Sequence, residues 1–159
     1  MKAEQSEKEA LEKAFRYLAQ RDRTRGEMAA YLASRGYGEE VIAHTLQRLT
    51  SLGYIDDRRF VRQWIAWRRR KSGYHRLRQD LLARGVERQI VDEEMADLSP
   101  EDEQEHAIAR ELARQRMLRY CGDAPEAAAR KLAAYLARRG FAFGIISKVV
   151  RELMDGPLA

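Results

Sequence analysis

Three segments of this chain carry the same apolar pattern around one glycine, and that repetition constrains the fold more than any other feature. LASRGYGEEVIAHTLQRL, LLARGVERQIVDEEMADL and LARRGFAFGIISKVVREL superimpose on Gly36, Gly85 and Gly140. Eight and four residues before each glycine stand Met28 and Leu32, Leu77 and Leu81, or Leu132 and Leu136, and directly after it stands Tyr37, Val86 or Phe141. The pattern resumes with Val41, Ile42, Leu46 and Leu49, with Ile90, Val91, Met95 and Leu98, and with Ile145, Ile146, Val150 and Leu153. Spacings of three to five residues put these side chains on one stripe of a helix. Each copy therefore reads helix, glycine turn, helix.

A helix commonly ends on a left-handed residue, which glycine adopts without a Cβ clash, and the next apolar side chain folds back over that cap. Arg35, Arg84 and Arg139, immediately before Gly36, Gly85 and Gly140, complement the C-terminal helix dipole. A third helical stretch precedes each pair, at about 7–21, 58–70 and 100–119. Thr24 to Glu27 and Asp123 to Glu126 have capping-box spacing, and Ser99-Pro100 reads as a cap before a first-turn proline. The expectation is an all-α chain of three tandem three-helix repeats in an elongated or curved array. Its divisions are residues 1–56 with a charged N-terminal extension, 57–98, which is the basic repeat, and 99–159.

With only 3 prolines and 10 glycines in 159 residues, composition agrees with helices. A single Cys121 cannot form an internal disulfide and reads as a small apolar filler. MKAEQSEKEA lacks the apolar stretch of a secretory leader, and no apolar run approaches the ~20 residues of a membrane span, so cytoplasmic residence is expected.

Charge is distributed unevenly. The total is +5, yet residues 58–88 hold 11 basic and 2 acidic groups, 92–105 hold 8 acidic and no basic ones, and 110–151 hold 10 basic and 3 acidic. The densest stretch is Arg68-Arg69-Arg70-Lys71, followed by Tyr74, Arg76 and Arg78. Four consecutive helical residues cover ~300° of circumference, so this run marks a helix ending in the open. Dipole complementarity explains one or two of the charges, and the cluster as a whole points to phosphate or an acidic protein surface. Trp64 and Trp67 lie one turn apart in line with Phe60; Trp64 reads as core, while Trp67 is open either to packing or to stacking on bases. Tyr74 is the aromatic expected at the surface. The acidic block reads as dipole complementarity at a helix start.

Catalytic groups are not evident. His44, His75 and His106 are widely separated, and no HExxH, CxxC, GxxxxGK[ST] or GxGxxG is present. No catalytic residue, metal or cofactor is expected. Asp56-Asp57 could suggest acid–base chemistry, but the pair precedes a helix, so Asp57 is read as structural, with at least one of the two capping that helix.

Leu49-Thr50-Ser51-Leu52-Gly53-Tyr54-Ile55-Asp56-Asp57-Arg58-Arg59-Phe60, the basic Trp/Arg-rich helix, Ser72-Gly73-Tyr74-His75-Arg76-Leu77 and Leu81-Leu82-Ala83-Arg84-Gly85-Val86 resemble the RecX family of bacterial RecA regulators. The resemblance runs from about Ala14 to Leu153. It is looser in the third repeat, and Tyr74-His75-Arg76-Leu77 departs from the usual Gly-x-x-x-Ile form. It implies three three-helix repeats lodged in the groove of the RecA–DNA filament, inhibiting strand exchange, ATP hydrolysis and co-protease activity without a catalytic site. The implied partners are the RecA filament and single- and double-stranded DNA without sequence preference; no membrane partner is expected, and end repeats with a charged N-terminal extension point to a monomer. The main contact is expected at Arg68, Arg69, Arg70, Lys71, Tyr74, Arg76 and Arg78, with Arg130, Lys131, Arg138 and Arg139 in the third repeat.

A helix-turn-helix DNA-binding protein or transcription factor is the alternative, because three-helix units also serve that purpose. Gly38-Glu39-Glu40 and Glu87 place negative charge at two of the three candidate recognition helices, which opposes it. A helical-repeat adaptor for an acidic protein is a third reading.

Overall fold

The computed structural model describes residues 1–156, with Ala3 described by its backbone alone. Its elements are α1 (Lys2–Leu18), α2 (Arg25–Ser34), α3 (Glu39–Ser51), α4 (Asp57–Arg68), α5 (Tyr74–Ala83), α6 (Arg88–Glu94), α7 (Glu103–Met117), a 3-10 turn (Leu118–Tyr120), α8 (Pro125–Arg138) and α9 (Phe143–Asp155). The chain is all-α, in three tandem three-helix modules, and the described residues contain no strand.

The repeated glycines act as the apolar pattern requires. Gly36, Gly85 and Gly140 have φ of 87°, 80° and 89°. Each helix closes by the same two bonds: Gly36 N–H to Ala33 and Tyr37 N–H to Leu32, Gly85 to Leu82 and Val86 to Leu81, Gly140 to Ala137 and Phe141 to Leu136. These pairs satisfy carbonyls that the helix end leaves open, and they bring the apolar residue after the glycine back over the helix. Met28, Leu32, Leu77, Leu81, Leu132 and Leu136 are all fully buried in consequence.

Of the three helix starts read from capping residues, one forms as expected and two differ. Thr24 makes the full capping box with Glu27. Asp123 does not cap α8; the N-cap is Ala124, with Pro125 in the first turn, and Asp123 pairs with Lys131 instead. Ser99 does not open α7, which begins three residues beyond Pro100 with Asp102 accepting from the Glu105 N–H at 2.8 Å. In the second repeat α6 stops at Glu94, although Met95 beyond it is still buried. Cys121 is exposed, so it does not fill the core.

The chain packs as two compact units. The first comprises Met1–Trp64 and Leu81–Glu94, and the second comprises Ile65–Asp80 and the described residues from Met95 to Gly156. The middle repeat is thus shared, with α4 and α5 each divided. In the first unit Ala10, Ala14, Met28, Leu32, Leu46, Leu49 and Ile55 form the core of α1–α3. In the second, Ala109 and Ala113 of α7 pack with Leu132, Leu136, Phe141, Ile145, Ile146 and Val149.

Each unit holds one joint between successive repeats, and the two joints follow one plan. The N-terminus of the second helix of a repeat docks on the glycine cap of the next. In the first unit the Thr24 hydroxyl donates to the Arg84 carbonyl, and the Arg25 N–H donates to Asp57 Oδ1 at 2.8 Å. In the second the Gly73 N–H donates to the Arg139 carbonyl at 2.7 Å, and the Tyr74 N–H donates to Glu105 Oε1 at 2.7 Å. Thr24 and Gly73 both lie twelve residues before their own repeat glycine, and Arg25 and Tyr74 eleven before. Asp57 therefore caps α2, across the joint, while Asp56 caps α4 by accepting from the Arg59 N–H at 3.0 Å. Backbones meet closely at both sites: a Cβ on Gly26 would lie 2.6 Å from the Gly85 oxygen, and one on Gly73 would lie 2.7 Å from the Gly140 oxygen.

Candidate nucleic-acid interface

The basic run is sorted by the end of α4. The helix stops at Arg68, and the Arg69 N–H still bonds back to Ile65 at 2.8 Å, so the next side chains fan out over the last turn. Arg69 turns inward. It is only 8% exposed, its Nη1 meets Glu105 Oε2 at 2.6 Å, and Glu105 is fully buried. Arg69 therefore leaves the set of side chains offered to a partner: a buried charge is costly without a partner, and here the partner is intramolecular. Its Nε and Nη2 are buried without a hydrogen bond, so Glu105 carries the whole pairing.

Glu105 is the functional residue that the sequence reading missed. One of its oxygens holds Arg69 and the other caps α5 through the Tyr74 N–H. Its signal in the sequence was a carboxylate four residues before Ala109, on the buried stripe of α7, but it was counted among the acidic residues of 92–105. Others of that block serve as counter-charges inside the first unit. Arg62 makes two bonds to Glu94, at 2.7 and 2.9 Å, and Arg58 reaches Glu93 at 2.5 Å and Glu94 at 3.3 Å. The Arg62 hydrogen bond is the largest influence on Glu94 and holds its carboxyl below the usual range.

Arg70 and Lys71 are exposed, and neither has a carboxylate partner among the described residues. Arg68 is half-buried, with its guanidinium 4.3 Å from the centre of the Trp67 ring. Arg76 is exposed and pairs with Asp80 at 3.1 Å. Arg78 is half-buried. Tyr74, expected at the surface, is half-buried, with its ring edge-on to His75. Trp67 beside Arg68 is exposed, at 63%, whereas Trp64 at 9% lies in the core as expected, with the Arg84 guanidinium 4.2 Å above its ring.

From the third repeat, Arg139 joins this end: its Nη1 donates to the Lys71 carbonyl at 3.3 Å, and Gly140 packs on Arg76. Arg138, beside it in sequence, is exposed. Arg130 is exposed as well, and Lys131 turns to Asp123 at 2.8 Å. The set that geometry draws together is thus Trp67, Arg68, Arg70, Lys71, Arg76 and Arg139, on a backbone pinned by Glu105 and by the cap of α8.

Comparison with known proteins bears on what such a surface serves. Residues 10–49 match the family model described as RecX, first three-helix domain, residues 56–95 the second, and residues 102–150 the third. The chain belongs to the RecX family. Membership makes it a regulatory protein and not an enzyme. It is 35% identical over 147 residues to the regulatory protein RecX of Mycobacterium leprae, covering 91% of this chain and 85% of that one. It is 35% identical over 155 residues to the RecX of Chlorobium phaeobacteroides, covering 96% of each. In fold it is similar to the crystal structure of RecX from Lactobacillus salivarius, with a TM-score of 0.77 at 21% identity, covering 94% of this chain and 97% of that one. Among the described residues of this RecX-family chain, no group of His, Cys, Asp and Glu is placed to hold a metal.

Proposed function

We propose that this RecX-family chain binds the RecA–DNA nucleoprotein filament without sequence preference and lowers its recombinase, ATPase and co-protease activities. The contact is the end of α4, where Arg70, Lys71 and Trp67 face solvent beside Arg68 and Arg76. One observation carries this reading: a buried Arg69–Glu105 pair fixes the backbone there, while Arg70 and Lys71 beside it are exposed and have no carboxylate partner among the described residues. Fixed, exposed cations favour a polyanion, since phosphates neutralised on binding release their counterions. To modulate a filament rather than decorate it, the chain must bind one filament geometry more tightly than another. The same reading has it act as a monomer, in the cytoplasm. Co-sedimentation with RecA filaments on single-stranded DNA, with ATP hydrolysis followed in parallel, tests it: binding with a fall in hydrolysis is expected, and a chain left in the supernatant at low salt would refute it.

A further inference from the structure

We infer that the Trp67 indole is a stacking platform for an unpaired nucleobase, so that this end of the chain grips single-stranded DNA directly. The inference rests on the filament-binding reading and names the component of the filament that is touched. Phe60, Trp64 and Trp67 continue one stripe of α4, yet they divide sharply: the first two are 8% and 9% exposed and stacked with ring centres 6.0 Å apart, while Trp67 is 63% exposed. Most of the surface of the third aromatic therefore lies in solvent. A large indole held in water lowers its free energy on meeting another flat apolar face.

Its surroundings specify which face. The Arg68 guanidinium lies 4.3 Å from the ring centre, so a planar cation and a planar indole already form one stacked element. Arg70 and Lys71, exposed and without carboxylates among the described residues, follow within four positions. The backbone between them is immobilised by the Arg69–Glu105 pair, the Gly73 bond to the Arg139 carbonyl and the Arg139 bond to the Lys71 carbonyl. Binding to such a rigid display forfeits little ordering entropy. A π face beside phosphate-neutralising cations is the combination single-strand binders use, and it tolerates every sequence because every base has a face. The cations alone would suffice for duplex phosphates or an acidic protein surface. The exposed indole is the added element, and between a duplex and a single strand only the unpaired base offers it a face.

The test measures affinity for an oligothymidylate, for a blunt duplex with the same number of phosphates, and for RecA filaments. Trp67→Ala, at an exposed site, is expected to weaken oligothymidylate binding by about 5- to 150-fold. Its salt slope and its duplex affinity are expected to match the parent. Arg70→Ala/Lys71→Ala is expected to weaken both nucleic acids and to cut the single-strand slope of log affinity against log salt by about 1.4. Indole emission is an independent readout. In Trp64→Phe only Trp67 emits, and oligothymidylate is expected to quench it; should that buried substitution unfold the chain, parent emission must be quenched while that of Trp67→Phe is not. Parental oligothymidylate affinity in Trp67→Ala, or emission blind to the oligonucleotide, would overturn the inference. Loss of filament binding with free-strand affinity intact would also overturn it, by showing that the indole touches protein, while leaving the filament-binding reading in place. Loss of free-strand affinity with parental filament binding would uphold stacking and move the filament contact elsewhere.

Discussion

The two inter-repeat joints share a plan and differ in how deeply they are buried. At the first, Asp57 is half-buried and caps α2 with one oxygen, beside a network in which Glu27 accepts from both Arg21 and Arg84 at 3.0 Å. At the second, Glu105 is fully buried and divides its oxygens between α5 and Arg69. The first is a shared arrangement of partly hydrated groups, whereas the second places its charge pairing and its side-chain cap on one carboxylate. The second also lies under the cationic end of α4, so there the joint sets the geometry of the binding surface as well as the packing of repeats.

The sharpest way to break this contrast is at the carboxylates. Glu105→Ala strands Arg69 without its partner and leaves the Tyr74 N–H open, and is expected to lose about 3–5 kcal/mol in urea unfolding. Arg69→Met/Glu105→Leu, which removes both charges, is expected to be clearly more stable than Glu105→Ala, since no buried cation is left alone. Equal stability of the two variants would mean that the pair is not what makes this joint depend on Glu105.

The repeat glycines come next. Gly36 has open space around its missing Cβ, so Gly36→Ala carries only the cost of a left-handed alanine, about 1–2 kcal/mol. Gly85 and Gly140 share that conformation, but a Cβ there would strike the Gly26 Cα at 2.8 Å or the Arg76 backbone. Their alanine variants are expected to melt lower than Gly36→Ala, and indistinguishable melting temperatures would remove the joints from the account.

Smaller effects are expected at the first joint. Thr24→Ala loses the N-cap of α2 and the bond to the Arg84 carbonyl, at about 1–2 kcal/mol. Asp57→Ala loses one cap acceptor, at about 1 kcal/mol. Burial, the largest influence on Asp57, raises its carboxyl above the ordinary value despite the Arg25 N–H, so the folded chain disfavours its charge. Asp57→Asn keeps an acceptor without the charge and is expected to match or slightly exceed the parent near neutral pH.

Glu27 has the opposite sign. Burial pushes its carboxyl upward, but hydrogen bonds from Arg21, the Thr24 N–H and Arg84 together bring it below the ordinary value of 4.5. Its contribution to stability is therefore complete above the unfolded-state value and is lost as pH falls through the lower folded one. An acid titration of melting temperature is expected to fall less steeply in Glu27→Gln than in the parent below about pH 4.5; parallel curves would contradict the assignment.

What was legible in the sequence is what repeats at short range. The apolar stripes, the glycine caps and the Thr24 capping box depend on neighbours within a turn or two, and the structure places them as read. Trp64 in the core was legible for the same reason. The joints were not, because their partners are distant: Asp57 meets Arg25 across 32 positions, and Glu105 meets Tyr74 and Arg69 across 31 and 36. Counting charge by segment made 58–88 a uniformly cationic stretch, whereas folding pairs Arg58, Arg62, Arg69 and Arg84 with carboxylates and leaves Arg70 and Lys71 displayed. Of the Asp56-Asp57 pair, Asp56 caps the helix that follows, as expected of at least one of the two, whereas Asp57 accepts from the Arg25 N–H of α2, a partner too distant in sequence to be read.

The most direct measurement is the salt dependence of binding to RecA filaments on single-stranded DNA, for the parent chain and for Arg70→Ala/Lys71→Ala. Both substitutions sit on exposed side chains, so the fold and melting temperature should hold. The variant is expected to bind more weakly at low salt and with a shallower slope, and to inhibit ATP hydrolysis less at equal concentration. Parental affinity, slope and inhibition in that variant would contradict the assignment of the α4 end as the contact with the filament.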